Sequence, residues 1–210
     1  MTNQFRGWSE KYKEYRDQGT ELMWPSETLV RLFKGDYIAG MGRDFVGKSV
    51  LDISFGAGNN LGFLHSLGLD CFGTEVTQEI CDLAIDRFKK SGIRATLKVG
   101  TNKTLPFEDN KFDFLVSWNV LHYEDCESDI VDEIHEYKRV LKPGGRFFLS
   151  TTGPDHQILE NSKTLGCHLY EIGLESEFRK GQVYFYFDAP NYIRHYFGTV
   201  FNDVEIGRTR

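Results

Sequence analysis

VLDISFGAGNN, residues 50–60, sets a short apolar run directly before two glycines two positions apart, and Leu61, Leu64 and Leu67 then recur at helical spacing. The stretch therefore reads as strand, sharp turn and helix. Gly56 lets the chain turn, and Gly58 leaves the backbone open to a ligand where a Cβ would intrude. The third glycine of a dinucleotide-binding turn is missing, because position 61 is leucine, which argues against a pyrophosphate held close over the helix. Glu75 adds to the reading. It ends a second run, LDCFGT, nineteen residues beyond Gly56, where an acidic side chain can accept both hydroxyls of a ribose.

Outward from this turn, FDFLVS (112–117) and RFFLS (146–150) are further apolar runs suited to strands covered on both faces, while IRATLKV (93–99) alternates as a strand exposed on one side would. Between them, Thr77 can cap a helix with Ile80, Leu83, Ala84 and Phe88 on one face and Gly92 at its end. A second helix carries Ile130, Ile134, Tyr137, Val140 and Leu141 and stops at a tight turn in KPGG, residues 142–145. Strand alternating with helix implies an α/β, Rossmann-like, doubly wound and mostly parallel sheet flanked by helices, with ligands at the carboxyl ends of the strands. Beyond Ser150 the pattern weakens. VYFYF (183–187) reads as a strand, followed by a helix capped by Asp188 with Pro190 in its first turn and Ile193, Tyr196 and Phe197 inward, and by a last strand near 203–208. Residues 151–181 show no assignable period.

A competing motif precedes the glycine turn. Gly42 to Ser49, GRDFVGKS, matches the G-x-x-x-x-G-K-[ST] phosphate loop. That loop needs a strand before it and a helix after it, whereas here a helical pattern precedes and a strand follows. The segment reads instead as an exposed connection with Lys48 solvated.

Composition narrows the classes. At 210 residues the chain suits one α/β domain. No run approaches the roughly 18 to 20 unbroken apolar residues of a membrane span, and the start lacks the apolar segment of an export signal, so a cytoplasmic location is expected. Cys71, Cys81, Cys126 and Cys167 stand far apart with no zinc-ligand spacing, and no metal is expected. The net charge of −6 disfavours nucleic acid as a substrate.

Together VLDISFGAGNN, Glu75, LPFEDNKFDFLVSWNVLHY (105–123) and RVLKPGGRFFLS (139–150) resemble the class I S-adenosylmethionine-dependent methyltransferases, in particular the small-molecule branch called type 11, over residues 45–152. The resemblance implies a chain divided into an N-terminal helical lid (1–44), a cofactor core (45–152) and a substrate-side segment (153–210). It places Asp52, Ser54, Phe55, Gly56, Gly58 and Asn59 at the methionine end of the cofactor, Glu75 and Val76 at the ribose, Thr101 and Asn102 at the adenine, and Asn119 where the cofactor opens towards the acceptor. Thr101 stands where the family commonly has an acid. Ser54 replaces the first glycine, which serine can do if its φ stays negative.

Methyl transfer is an in-line displacement in which holding nucleophile, methyl carbon and sulfur in a row supplies much of the acceleration. A base is needed only where the acceptor must lose a proton. Candidates are His122, first, then Tyr123, His156 and Asp155, all beyond the strand ends. Trp8, Tyr12 and Tyr15 recur at helical spacing, and Trp24 and a Ser26-capped helix follow; these can form a lid over the site. The family commonly finishes with an antiparallel seventh strand beside the fifth, which this chain leaves unaccounted for, so an atypical sheet or a homodimer is expected. The expected activity is methyl transfer to an oxygen or nitrogen of a small molecule. A noncatalytic cofactor-binding scaffold is the alternative, and a nicotinamide-dependent oxidoreductase is disfavoured by Leu61.

Overall fold

Five strands of the computed structural model form a parallel sheet whose order reverses at its centre. The structure describes residues 3–19, 24–175 and 178–208. β1 (Ser49–Ile53), β2 (Asp70–Glu75), β3 (Ala95–Val99), β4 (Phe112–Trp118) and β5 (Leu141–Ser150) lie in the order β3-β2-β1-β4-β5. All four pairings are parallel. Because the chain winds one way from β1 to β3 and the other way from β4 to β5, a crevice opens beyond the carboxyl ends of β1 and β4.

Side chains alternate across the sheet, and each face is buried under its own helices. Val50, Phe114 and Val116 point to one side, where α2 (Glu27–Lys34), α3 (Asn59–Ser66) and α4 (Gln78–Ser91) contribute Leu29, Phe33, Leu61, Leu64, Ile80 and Phe88. Leu51, Ile53 and Leu115 point to the other, against Ile130, Ile134 and Tyr137 of α5 (Glu127–Val140) and Phe197 of α6 (Pro190–Phe197). Burial on both faces is why these runs are continuously apolar instead of alternating. α4 is bounded as its residues predict: Thr77 accepts from the Ile80 amide, and Gly92 closes the helix at φ +69°. Leu61, in the place of a third glycine, packs tightly because Gly73 of β2 opposes it; a Cβ on Gly73 would lie 3.0 Å from the Leu61 side chain.

The C-terminal third departs from expectation. β6 (Lys163–Gly166), β7 (Leu169–Glu171) and β8 (Val183–Phe185) form a separate antiparallel sheet, so VYFYF does not extend the main one. The expected strand at 203–208 is absent from the described residues, which carry no ladder there. The N-cap of α6 is Ala189, not Asp188, since the Asp188 carboxylate is taken by Tyr170 and by His168 Nδ1. KPGG is a bulge within β5, not a simple turn: Phe112 pairs with Leu141 and Phe114 with Arg146, leaving 142–145 looped out.

Candidate cofactor and acceptor site

The turn after β1 is built from left-handed positions at every second residue. Ser54, Gly56 and Gly58 have φ of +52°, +58° and +79°. Ser54 therefore does not keep the negative φ expected of it; it takes the conformation glycine would favour, and its Oγ bonds Asn102 Oδ1 at 3.3 Å, a local tie that offsets part of the strain. The two glycines differ in purpose. A Cβ on Gly58 would strike the Phe88 ring, so this glycine serves packing of α4 beneath the turn and not ligand approach. A Cβ on Gly56 would strike the Tyr12 hydroxyl.

Glu75, buried at the end of β2, ties the turn to its neighbour strand. Its Oε1 accepts from the Gly56 amide at 2.8 Å and its Oε2 from the Val76 amide at 3.0 Å. A carboxylate has about four lone-pair sites, so capacity remains on both oxygens for two further donors. Burial raises its pKa to about 7 despite those two amide bonds. Asp52 is also buried, and burial, then the nearby Glu75, push its carboxyl well above the usual range. Neither acid has an ion-pair partner among the described residues, which describes a site short of positive charge.

Four buried polar atoms have no hydrogen-bond partner among the described residues at this end of the sheet: Asp52 Oδ2, Asn59 Oδ1, His122 Nδ1 and Thr151 Oγ1. They come from β1, the start of α3, the turn after β4 and the end of β5. A ligand bearing a cationic group and hydroxyls would satisfy them. Adenosylmethionine would fit this set, with Glu75 available to the ribose hydroxyls and Asp52 to the cationic methionine end. The loop after β3 closes on itself, Thr101 and Thr104 exchanging backbone bonds of 3.3 and 3.1 Å, and buried Asn102 faces Ser54. Phe55 is buried beneath the turn against Gly73. Exposed Asn119, at φ +58°, turns its Oδ1 to the Ser150 hydroxyl at 2.8 Å and so ties the ends of β4 and β5.

The acceptor side is aromatic. His122 and Tyr123 fall in a short 3-10 turn after β4. The His122 ring stacks on Tyr186, with centroids 5.3 Å apart and planes at 16°, and Tyr123 meets Trp8 and Tyr184 edge to face. Tyr123 accepts from Arg179 at 2.9 Å, and that guanidinium lies over Trp8, Tyr123 and Phe178. Burial, then the charges of Arg179 and His156, lower the His122 pKa to about 3. His122 is thus neutral and weakly basic, which works against its expected role as proton acceptor. His156 turns its Nδ1 to the Ile158 amide at 3.1 Å, and Asp155 is engaged by Arg208.

The N-terminal aromatic stripe, Trp8, Tyr12 and Tyr15, does more than its helical spacing implies. In the structure α1 (Asn3–Gln18) is pinned by Ser9 to the Thr77 hydroxyl at 2.8 Å and sets the Tyr12 hydroxyl against Gly56. Burial, then Glu75, Tyr123, Tyr15 and Asp52, raise the Tyr12 pKa well above the ordinary phenol value. The residue spacing carried a signal for a helix but none for the cradle it would touch.

A reversed parallel sheet with a glycine turn after β1 and a buried acid ending β2 is a Rossmann-like arrangement. Residues 51–149 match the family described as a methyltransferase domain. Over 101 residues the chain is 33% identical to an uncharacterized methyltransferase, YcgJ, of Bacillus subtilis, a match covering 48% of this chain and 39% of that protein. It is 26% identical over 178 residues to the uncharacterized protein MJ1123 of Methanocaldococcus jannaschii, covering 85% and 72%. A chain of the Haloferax volcanii complex that contains the Trm112 methyltransferase activator shares the fold with a TM-score of 0.63 at 19% identity, covering 95% of this chain and 76% of that one. Residues 51–149 are thus similar to a methyltransferase domain, and the chain spans well under half the length of YcgJ. No helix among the described residues is long and apolar enough to cross a membrane.

Proposed function

We propose that the chain binds S-adenosylmethionine at the turn 54–58 and transfers its methyl group to an oxygen or nitrogen of a small acceptor. One observation carries the reading: Asp52 Oδ2, Asn59 Oδ1, His122 Nδ1 and Thr151 Oγ1, buried without a partner among the described residues, and the buried acids Asp52 and Glu75 belong to segments at the carboxyl end of the sheet. When bound there, the cofactor supplies an electrophilic methyl group. Glu75 and Asp52 orient it, and α1 with Trp8 and Tyr12 excludes water. The acceptor enters beside Tyr123, between α1 and the β6–β8 sheet, and the aromatic walls Trp8, Tyr123 and Tyr184 favour a small, largely apolar or planar molecule. In this reading residues 1–44 form the lid, 45–152 the cofactor core and 153–210 the acceptor side.

With His122 so weakly basic, the acceptor already carries its lone pair on arrival, as an uncharged amine does, or loses its proton to water. The same weak basicity supports a second reading, a cofactor-binding scaffold without turnover. Formation of adenosylhomocysteine with fractionated small metabolites tests the two. Turnover supports the first; tight cofactor binding with no turnover in any fraction supports the second. We further propose association of two copies, which a monomer by solution scattering would contradict.

A further inference from the structure

GRDFVGKS, residues 42–49, has no part in that site, because it enters β1 at the opposite end of the sheet. There it borders a depression of about 190 Å³. Lys48 reaches it from this segment, Lys142 and Arg146 from the bulged start of β5, and Gly42 and Gly144 leave bare backbone at its rim. A Cβ on either glycine would meet nothing within 4 Å.

The charge balance is uneven. Asp113 is the only carboxylate among the residues lining the depression, and it is already engaged: its Oδ2 accepts from the Ser49 amide and hydroxyl, both at 2.9 Å, and from Lys142 Nζ at 2.8 Å. Lys48 and Arg146 have no carboxylate within ion-pair distance among the described residues. Arg146 Nη2 donates to the Ala39 carbonyl at 3.2 Å, which fixes one corner of a guanidinium that has about five donors in all. With Lys142 paired to Asp113, Lys48 and Arg146 remain two cations on one small hollow with no carboxylate partner among the described residues, and an anion there would offset their mutual repulsion. In a chain of net charge −6 such a cluster is not a sample of the general surface.

We propose that this depression binds the phosphate or diphosphate group of a small anion, either free or at the end of a metabolite. Its volume falls below the roughly 300–1,000 Å³ of pockets that enclose a drug-sized ligand, so the group is held while any remainder projects into solvent. The phosphate-loop motif is then a misleading match with a related outcome: the strand and helix are in the wrong order for a nucleotide cradle, yet its lysine meets an anion with help from the KPGG bulge.

Titration calorimetry with sodium pyrophosphate at constant ionic strength tests this, on the wild type, Lys48→Ala and Gly42→Glu. Gly42 has open space at its Cβ and no left-handed φ, so Glu there adds charge without strain and decides the matter if Lys48→Ala proves unstable. The expected result is saturable one-to-one binding, at least tenfold weaker in each variant, with adenosylmethionine affinity unchanged in both. Adenosine diphosphate binding as tightly as pyrophosphate identifies a terminal diphosphate as the recognised group; pyrophosphate alone binding identifies the free anion. Absence of saturable binding, or binding that survives both substitutions, overturns the proposal. Single-stranded RNA binding where pyrophosphate does not overturns it in favour of a nucleic-acid face.

Discussion

Cofactor affinity should fall on acidification through neutrality, and Glu75 sets where. Its carboxyl titrates at about 7 in the folded chain, chiefly because it is buried. Ribose hydroxyls donate to the ionised form, so binding requires the proton to leave. With that pKa, about nine in ten molecules are ready at pH 8 and only about one in eleven at pH 6, which predicts roughly tenfold weaker binding, or about 1.4 kcal/mol. Methylthioadenosine is the suitable probe, since it keeps the ribose and adenine but lacks the titrating amine and carboxylate of the methionine end. Calorimetry at pH 7 in buffers of different ionisation enthalpy should show release of about half a proton per ligand bound. Glu75→Gln should lose the pH slope. A flat affinity between pH 6 and 8, or release unchanged in Glu75→Gln, would refute the claim that this carboxylate receives the ribose.

The same group makes the ligand-free fold respond in the opposite sense. Its folded pKa lies above the unfolded one, so its stabilisation is complete below the unfolded value near 4.5 and is lost as pH rises through 7. Between pH 6 and pH 8 about 1.3 kcal/mol disappears, a fall of roughly 3 to 5 °C in melting midpoint that Glu75→Gln should abolish. Gly56→Ala and Gly58→Ala should separate the two glycines. The first sets a Cβ against Tyr12 and should cost cofactor affinity most, more than tenfold; the second drives a Cβ into Phe88 and should cost stability, about 1 to 3 kcal/mol by thermal unfolding. His122→Phe should retain turnover within about tenfold, because an imidazole whose pKa is lowered to about 3 is too weak a base to take the acceptor's proton; a loss nearer the hundredfold to ten-thousandfold typical of a removed general base would reinstate it as proton acceptor.

The core of this fold was legible because its signals are local. VLDI and FDFLVS are apolar at every position since both faces of the sheet are covered, and Thr77 and Gly92 mark a helix by chemistry that needs no distant partner. Glu75 was legible by its distance from the glycine turn. What stayed hidden depends on contacts between remote segments. VYFYF announces a strand but not which strand it will join, and it pairs with β7 instead of β5. Asp188 looks like a helix cap until His168 and Tyr170 claim its carboxylate. Ser54 could be assigned a negative φ only in ignorance of the turn it must complete and of Asn102 across from it. His122 was placed correctly after β4, yet its basicity depends on burial, on Arg179 and on His156, none of which its neighbours in sequence disclose.

The account stands most directly on adenosylmethionine binding to wild type, Glu75→Ala and Lys48→Ala by calorimetry. Loss of two hydrogen bonds to a charged acceptor, at about 1.5 to 3 kcal/mol each, predicts a weakening of at least a hundredfold in Glu75→Ala, while Lys48→Ala should bind as the wild type does. Wild-type affinity in Glu75→Ala, or its loss in Lys48→Ala, would contradict it.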